Sequence, residues 1–297
     1  MKNKQRTYGV MMMIASAVVY SLNTNLTKIT TNWEIGLGTI TLIRGLWAVP
    51  ALAFLASRQH LTLRLPFRLM GKVLAFGVLG EVCTSLLLTI ASVYLPAGSV
   101  TTIHYLYPLF VNLCGVFLFR ERPRHSLWIA LAVALVGVLL FLEPGGKLSP
   151  AGIVAAVGSG MSWTIQMLSL ERTELRKLDA IQIMFYQCSL LIPVGILIML
   201  IQREQLNAIT WPVLGVTGIA SLCCYAVGSR LLTGGVRRIG AGLAAVLGVL
   251  EPVSSITLSM LLFHDHINLR QACACAMILL SIAYLLVQDL ACKKERT

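Results

Sequence analysis

Residues 9–23 read GVMMMIASAVVYSLN and residues 152–166 read GIVAAVGSGMSWTIQ. A shift of 143 positions sets Ser16 on Ser159, Tyr20 on Trp163 and Asn23 on Gln166, and further along it sets Arg44 on Gln187. With one residue of slippage, Leu106-Tyr107-Pro108 falls on Leu250-Glu251-Pro252, and Leu118-Phe119-Arg120-Glu121 falls on Leu262-Phe263-His264-Asp265. The chain is an internal repeat, and a very apolar one. Of its 297 residues 57% are apolar and 12% charged, with a mean hydropathy of +0.81, whereas a soluble domain carries about 25% charged residues. That composition excludes a water-exposed globule, a disordered chain and a nucleic-acid binder, so the net charge of +12 needs another explanation.

A membrane span takes roughly 20 residues. Apolar runs bounded by charge, Pro or Gly predict helices over 8–27, 35–56, 70–93, 97–119 and 127–142, then over 151–170, 180–201, 211–232, 240–263 and 269–287. The expected fold is all-α and integral to the membrane, with ten transmembrane helices split as 1–145 and 146–297 and no room for a soluble domain. Nineteen of the 24 Lys and Arg fall on one side of such a bundle; only Lys28, Lys147, Arg203 and Arg270 fall on the other, with Arg44 at depth. Basic residues collect on cytoplasmic loops, which puts both termini in the cytoplasm, places the chain in an inner or plasma membrane, and accounts for the net charge. Five helices per repeat is an odd number, so the two halves are expected to be inverted. The start MKNKQR before an apolar run imitates a signal peptide, but the run has spanning length and no A-x-A site follows, so an uncleaved first span is expected.

Seven of the eight cysteines lie inside apolar runs, at spacings that suit neither a CxxC redox element nor a zinc site. They read as core residues. His264-Asp265-His266 reads as a surface loop, and the reading calls for no metal and no cofactor.

Three ionisable residues fall deep: Arg44, Glu81 and Glu251. A charge at that depth must face the bundle interior or a wet cavity with a partner, so Arg44 and Glu81 are read as an ion pair or coupling site, with Glu81 a proton or cation site. Helix 4 carries Thr101, His104, Tyr105, Pro108 and Asn112 at helical spacing. Helix 1 carries Ser16, Tyr20, Asn23 and Thr27, and its repeat partner Ser159, Trp163 and Gln166. The small hydroxyls are expected to bond between helices. Tyr20, Asn23, His104, Tyr105, Trp163, Gln166 and Glu251 are the expected substrate-binding groups around a shared cavity, with Pro108 and Pro252 as a matched pair of kinks, since each removes a backbone hydrogen bond.

These residues carry a resemblance. The five-plus-five arrangement, Tyr20/Asn23 ending at Lys28, LIRG around Arg44, YLPAGSVTTIHYLYPLF leading to FLFRERP, and LEPVSSITLSMLLFHD resemble the EamA-type drug/metabolite transporters over the whole chain. The second half reads Phe263-His264-Asp265 where such transporters usually read Gly-Glu-Arg. The resemblance implies a secondary transporter, not an enzyme, exporting a small organic metabolite such as an amino acid by alternating access. Its partners would be that solute, the lipid bilayer and protons as a coupling ion, with the chain a monomer or homodimer and no nucleic acid involved. A multidrug or cation exporter of the same fold is the alternative; an intramembrane enzyme on a lipid-linked substrate lacks any HExxH or GxSxG signature, and a channel lacks a filter motif.

Overall fold

The computed structural model describes residues 2–33, 35–121, 125–141, 149–204, 209–263 and 267–294. Lys147, Arg122, Arg124 and the His264-Asp265-His266 triplet lie outside the described residues, as does the side chain of Lys28. Among the described residues there is helix and no strand. In chain order the helical rods are α1 (Lys2–Asn32), α2 (Leu37–Arg58), α3 (Phe67–Tyr94), α4 (Ala97–Phe117), α5 (His125–Leu139), α6 (Pro150–Arg172), α7 (Ala180–Gln202), α8 (Trp211–Ile239), α9 (Ala241–Phe263) and α10 (Leu269–Lys294). All but α5 are long and apolar enough to cross a membrane, and α5 is a shorter apolar rod of 15 residues. The ten expected helices are present. Three run well past their expected ends: α1 reaches Asn32, α10 reaches Lys294, and α8 continues through its polar last turns to Gly240, whose φ of +85° only glycine tolerates readily.

The two halves share their irregularities. A π-helical segment interrupts α3 at Gly77–Val82, and another interrupts α8 at Leu222–Gly228. The fourth rod breaks into Ala97–His104 and Tyr107–Phe117, and the ninth into Ala241–Gly248 and Leu250–Phe263. Proline explains both breaks. The rings of Pro108 and Pro252 clash with carbonyls four residues earlier, those of His104 and Gly248, where the first pieces end. Phe67 and Trp211, the first residues of α3 and α8, are 84% and 87% exposed, as aromatic anchors at a membrane surface would be.

Helices pack on their repeat partners, head to tail. Along α2 and α7, Gly38 meets Met199, Leu42 meets Gly195 and Gly45 meets Ile192, with backbone against backbone at Gly195. On α4 and α9, Asn112 meets Gly242 and Tyr107 meets Gly248. On α5 and α10, Gly137 meets Ile278, and other contacts exchange partners between halves: α3 lies against α6 through Gly80–Gln166 and Tyr94–Gly152, and α1 lies against α8 through Met13–Gly235 and Val19–Gly228. With no hydrophobic force between helices in lipid, close approach at small residues and interhelical hydrogen bonds hold such a bundle together. Ser16 Oγ donates to the Gly228 carbonyl at 3.0 Å, and Thr84 Oγ1 donates to the Ser159 carbonyl at 3.4 Å, as the sequence led us to expect of the small hydroxyls.

The helix ends are tied across the repeat. Glu204, just beyond α7, accepts from the Gly38 and Thr39 amides at 2.9 and 2.8 Å and from the Thr39 hydroxyl at 2.8 Å, which caps α2. At the other end of the pair, Asp179 and Gln182 form a capping box on α7. Gln182 and Tyr186 there donate to the Thr62 and Leu63 carbonyls just beyond α2, at 2.7 and 2.6 Å.

Candidate functional site

Where the two halves meet, α1, α2, α3, α4, α6, α8 and α9 enclose a cavity of about 310 Å³, at the small end of the range for ligand pockets. One wall is aromatic. Trp163 stands edge-on to both Tyr20 and Tyr107, each at 6.5 Å between centroids. His104 packs against Tyr105 at 5.8 Å and Tyr107 at 5.7 Å. The helix break before Pro108 makes this cluster possible, because it turns residues 104, 105 and 107 toward one point. His104 Nδ1 is held by the Ser159 hydroxyl at 3.0 Å.

The lining is also charged, with Arg44, Glu81 and Glu251 in the same space. Glu251 accepts from the Thr24 hydroxyl at 3.2 Å and lines the cavity with Tyr105. Glu81 accepts from the Tyr225 hydroxyl at 3.4 Å. Arg44 Nη2 donates to Thr27 Oγ1 at 2.5 Å, its carbonyl accepts from Ser221 at 2.8 Å, and its Nε is buried with no hydrogen-bond partner. The Oδ1 of Asn23, also in the lining, is likewise buried without a partner. The cavity therefore presents an unused guanidinium donor, an unused amide acceptor and two carboxyls. A buried polar atom without a partner costs on the order of 1–3 kcal/mol, which a bound solute can recover.

Eight of the expected site residues line the cavity: Tyr20, Asn23, Arg44, Glu81, His104, Tyr105, Trp163 and Glu251. Gln166 does not. It is 1% exposed and exchanges hydrogen bonds with Gln187 at 2.9 and 3.3 Å, so its amide is spent between α6 and α7. The expected direct pairing of Arg44 with a carboxylate is not seen: among the described residues the ion pairs are Lys72–Glu174, Arg172–Glu121 and Arg172–Glu171. Arg44 and Glu81 line the same cavity. Residues the sequence reading passed over are Thr24, Tyr107, Cys224 and Tyr225. The repeat held a signal for two of them, since a shift of 144 carries Glu81 onto Tyr225 and Tyr107 onto Glu251.

Along α1 the lining runs from Met13 to Thr24, and along α4 from Thr101 to Tyr107, so the cavity occupies the bundle's middle and the half where α4 begins. The other end is tied shut. Arg172 pairs with Glu121 and, at 3.3 Å, with Glu171, and its guanidinium lies 5.0 Å over the Phe119 ring. Glu171 in turn accepts from the Ala241 amide at 3.0 Å, which caps α9.

Comparison with known proteins bears on the fold and the family. A solved crystal structure superposes on 96% of this chain and 99% of its own with a TM-score of 0.78 at 20% identity, a likeness of fold. An uncharacterized transporter of Bacillus subtilis, YvbV, is 24% identical over 95% of this chain and 92% of its own. An uncharacterized transporter of Synechocystis sp. is 22% identical over 85% of this chain and 83% of its own. The EamA-like transporter family matches twice, over residues 7–143 and 150–287. Two family matches in tandem, on two five-helix units that share their π segments and their proline breaks, identify a multi-pass membrane protein that belongs to the EamA-like transporter family.

Proposed function

We propose that the protein is a secondary carrier that exports a small zwitterionic or amphipathic metabolite, of the amino-acid class, by alternating access. The observation that carries this reading is the cavity's pairing of an unused Arg44 donor with the carboxyls of Glu81 and Glu251 beside an aromatic wall. A solute carboxylate suits Arg44 Nε and a solute amine suits a carboxyl, while the rings of Tyr20, Tyr107 and Trp163 cover an apolar side chain. The head-to-tail packing of α2 on α7 and α4 on α9 supports two inverted repeats, the build in which substrate sits at the repeat interface and one bundle rocks against the other. In that scheme the Arg172 contacts must part when access switches sides. Glu81 is the proton-coupling group in this reading.

Two carboxyls among aromatic faces also suit an organic cation, which makes cation export the second reading. A melting-temperature screen of the purified protein against amino acids, amines, nucleosides and large hydrophobic cations separates the two, because specific binding stabilises by mass action. Stabilisation by zwitterions, with saturable counterflow of the same solute, is the expected result; stabilisation by hydrophobic cations alone moves the assignment to cation export. The orientation, with both termini in the cytoplasm, follows the basic bias, and a reporter that is active only outside the cytoplasm must stay silent at the C-terminus.

A further inference from the structure

A second pocket, of about 650 Å³, opens where the start of α1, the start of α7 and the last turns of α8 come together, away from the transport cavity. Three guanidinium groups line it, those of Arg230, Arg237 and Arg238, against one carboxylate, Asp179. Asp179 is already committed, since its Oδ1 accepts from the Ile181 amide at 2.8 Å. The arginines are anchored from behind by neutral acceptors. Arg237 donates to the Leu175 carbonyl at 2.8 Å, Arg238 to Gln5 at 3.1 Å and to the Gly234 carbonyl at 2.9 Å, and Arg230 to the Gln59 amide at 3.5 Å. Positive charge is thus gathered in a preformed recess and left unneutralised.

Two further atoms ask for an acceptor. Arg237 Nε and Thr233 Oγ1 are both buried with no hydrogen-bond partner, and Thr233, which lines the pocket, is 1% exposed. Arg237 Nε is a donor and the Thr233 hydroxyl can donate, so a multivalent oxyanion would serve both at once. The lining is two-natured as well. One turn or more from Arg237 and Arg238 along α8, it becomes apolar through Leu231, Val227 and Ala226, and Val227 is 49% exposed, while Met12 of α1 lies against Gly234 and Arg238. A soluble anion has no use for that strip, whereas an acyl chain does.

We propose that this pocket binds an anionic phospholipid, its phosphate on Arg237, Arg238 and Thr233 and the first part of an acyl chain along Val227 and Leu231. Basic pockets between transmembrane helices at the membrane surface are suited to such headgroups. Because the lipid would bridge the start of α1 to the end of α8, one helix from each repeat, its binding would stabilise the bundle without touching the transport cavity.

The test uses the full-length purified protein, stripped of lipid in neutral detergent, with native mass spectrometry and thermal melting as readouts. Phosphatidylglycerol should leave one retained lipid and raise the melting temperature; phosphatidylcholine and inorganic phosphate at matched ionic strength should do neither. Arg238→Gln, at an exposed position, and Thr233→Val should each raise the half-saturating phosphatidylglycerol concentration by about tenfold, the loss of one charge-assisted hydrogen bond. Both variants keep the Arg237–Leu175 contact, so the fold is retained and the wild-type melting temperature without lipid serves as the check. An equal response to phosphatidylcholine, an equal response to inorganic phosphate, or an unchanged phosphatidylglycerol response in both variants would overturn the proposal.

Discussion

Tyr225 donates its hydroxyl to Glu81 at 3.4 Å, and the two residues stand 144 positions apart, at equivalent places in the two repeats. Each lies on a π-helical segment, Gly77–Val82 or Leu222–Gly228. The same exchange recurs at Tyr20 and Trp163, which are repeat equivalents and touch edge to face, and at Tyr107 and Glu251, which line the cavity together. Residues that face each other across the joint of a duplicated fold begin as copies of one another, and in each pair here the copies differ. Such a joint carries a directional site made of unlike groups, and π-bulges often mark functional positions.

On this geometry, Glu81→Gln should retain solute binding and counterflow and lose accumulation driven by a pH gradient, because the amide mimics a carboxyl that never releases its proton. Tyr225→Phe removes the donor to Glu81 and should displace the pH profile of flux while leaving transport intact. Proteoliposomes loaded with a proton gradient alone give the decisive readout. If Glu81→Gln still concentrates solute there, the coupling group lies elsewhere and Glu81 is a structural partner of Tyr225.

Arg44 should discriminate between solutes with and without a carboxylate. Arg44→Lys keeps the charge but loses Nε and the planar fork, and its flux of a zwitterion should fall about tenfold, the worth of one charge-assisted hydrogen bond. Arg44→Ala should lose more, while flux of a simple amine changes little. Transport assays on a matched amino acid and amine check this; equal losses for both solutes would assign Arg44 to the fold and not to recognition.

Gly195 is set so close to Leu42 that an added side chain meets backbone atoms of α2. Gly195→Val should therefore separate α2 from α7 and cost about 1–3 kcal/mol or more, as overpacking does. Gly215 on α8 has open space around it, so Gly215→Ala should be neutral or stabilising by about 0.5–1 kcal/mol. Melting temperatures of the two variants, side by side, decide whether the head-to-tail contact is as tight as described.

Between α6 and α7, Glu174 accepts from Lys72 near the start of α3 at 2.5 Å, and that hydrogen bond and charge hold the Glu174 carboxyl below its ordinary range, with help from Arg68 and Lys177. A carboxyl whose folded pKa is lowered adds stability above its unfolded pKa and loses it as the pH falls through the folded one. Lys72→Gln should thus melt slightly lower than the parent at neutral pH, and the difference should vanish once the medium is acidified below the carboxylate range. The pair is exposed, so the difference is small. A gap that persists in acid would mean that Lys72 acts through packing.

The amino-acid order by itself determined the membrane class, the ten helices, the duplication and eight cavity residues, because each rests on local signals. A span must be apolar throughout its length, and a charge such as Arg44 or Glu251 is tolerated at depth only where something other than lipid receives it. The tertiary structure alone decided which polar groups share the cavity. Gln166 looked equivalent to Asn23, yet Gln187 on α7 claims its amide. Tyr107 stands three residues past His104 with the helix break before Pro108 between them, and Tyr225 lies on the π segment of α8, where the helical phase shifts. Helical periodicity predicts facing only while the helix is regular. Where the backbone departs from it, the direction of a side chain is set by the neighbouring helices, which no local pattern encodes.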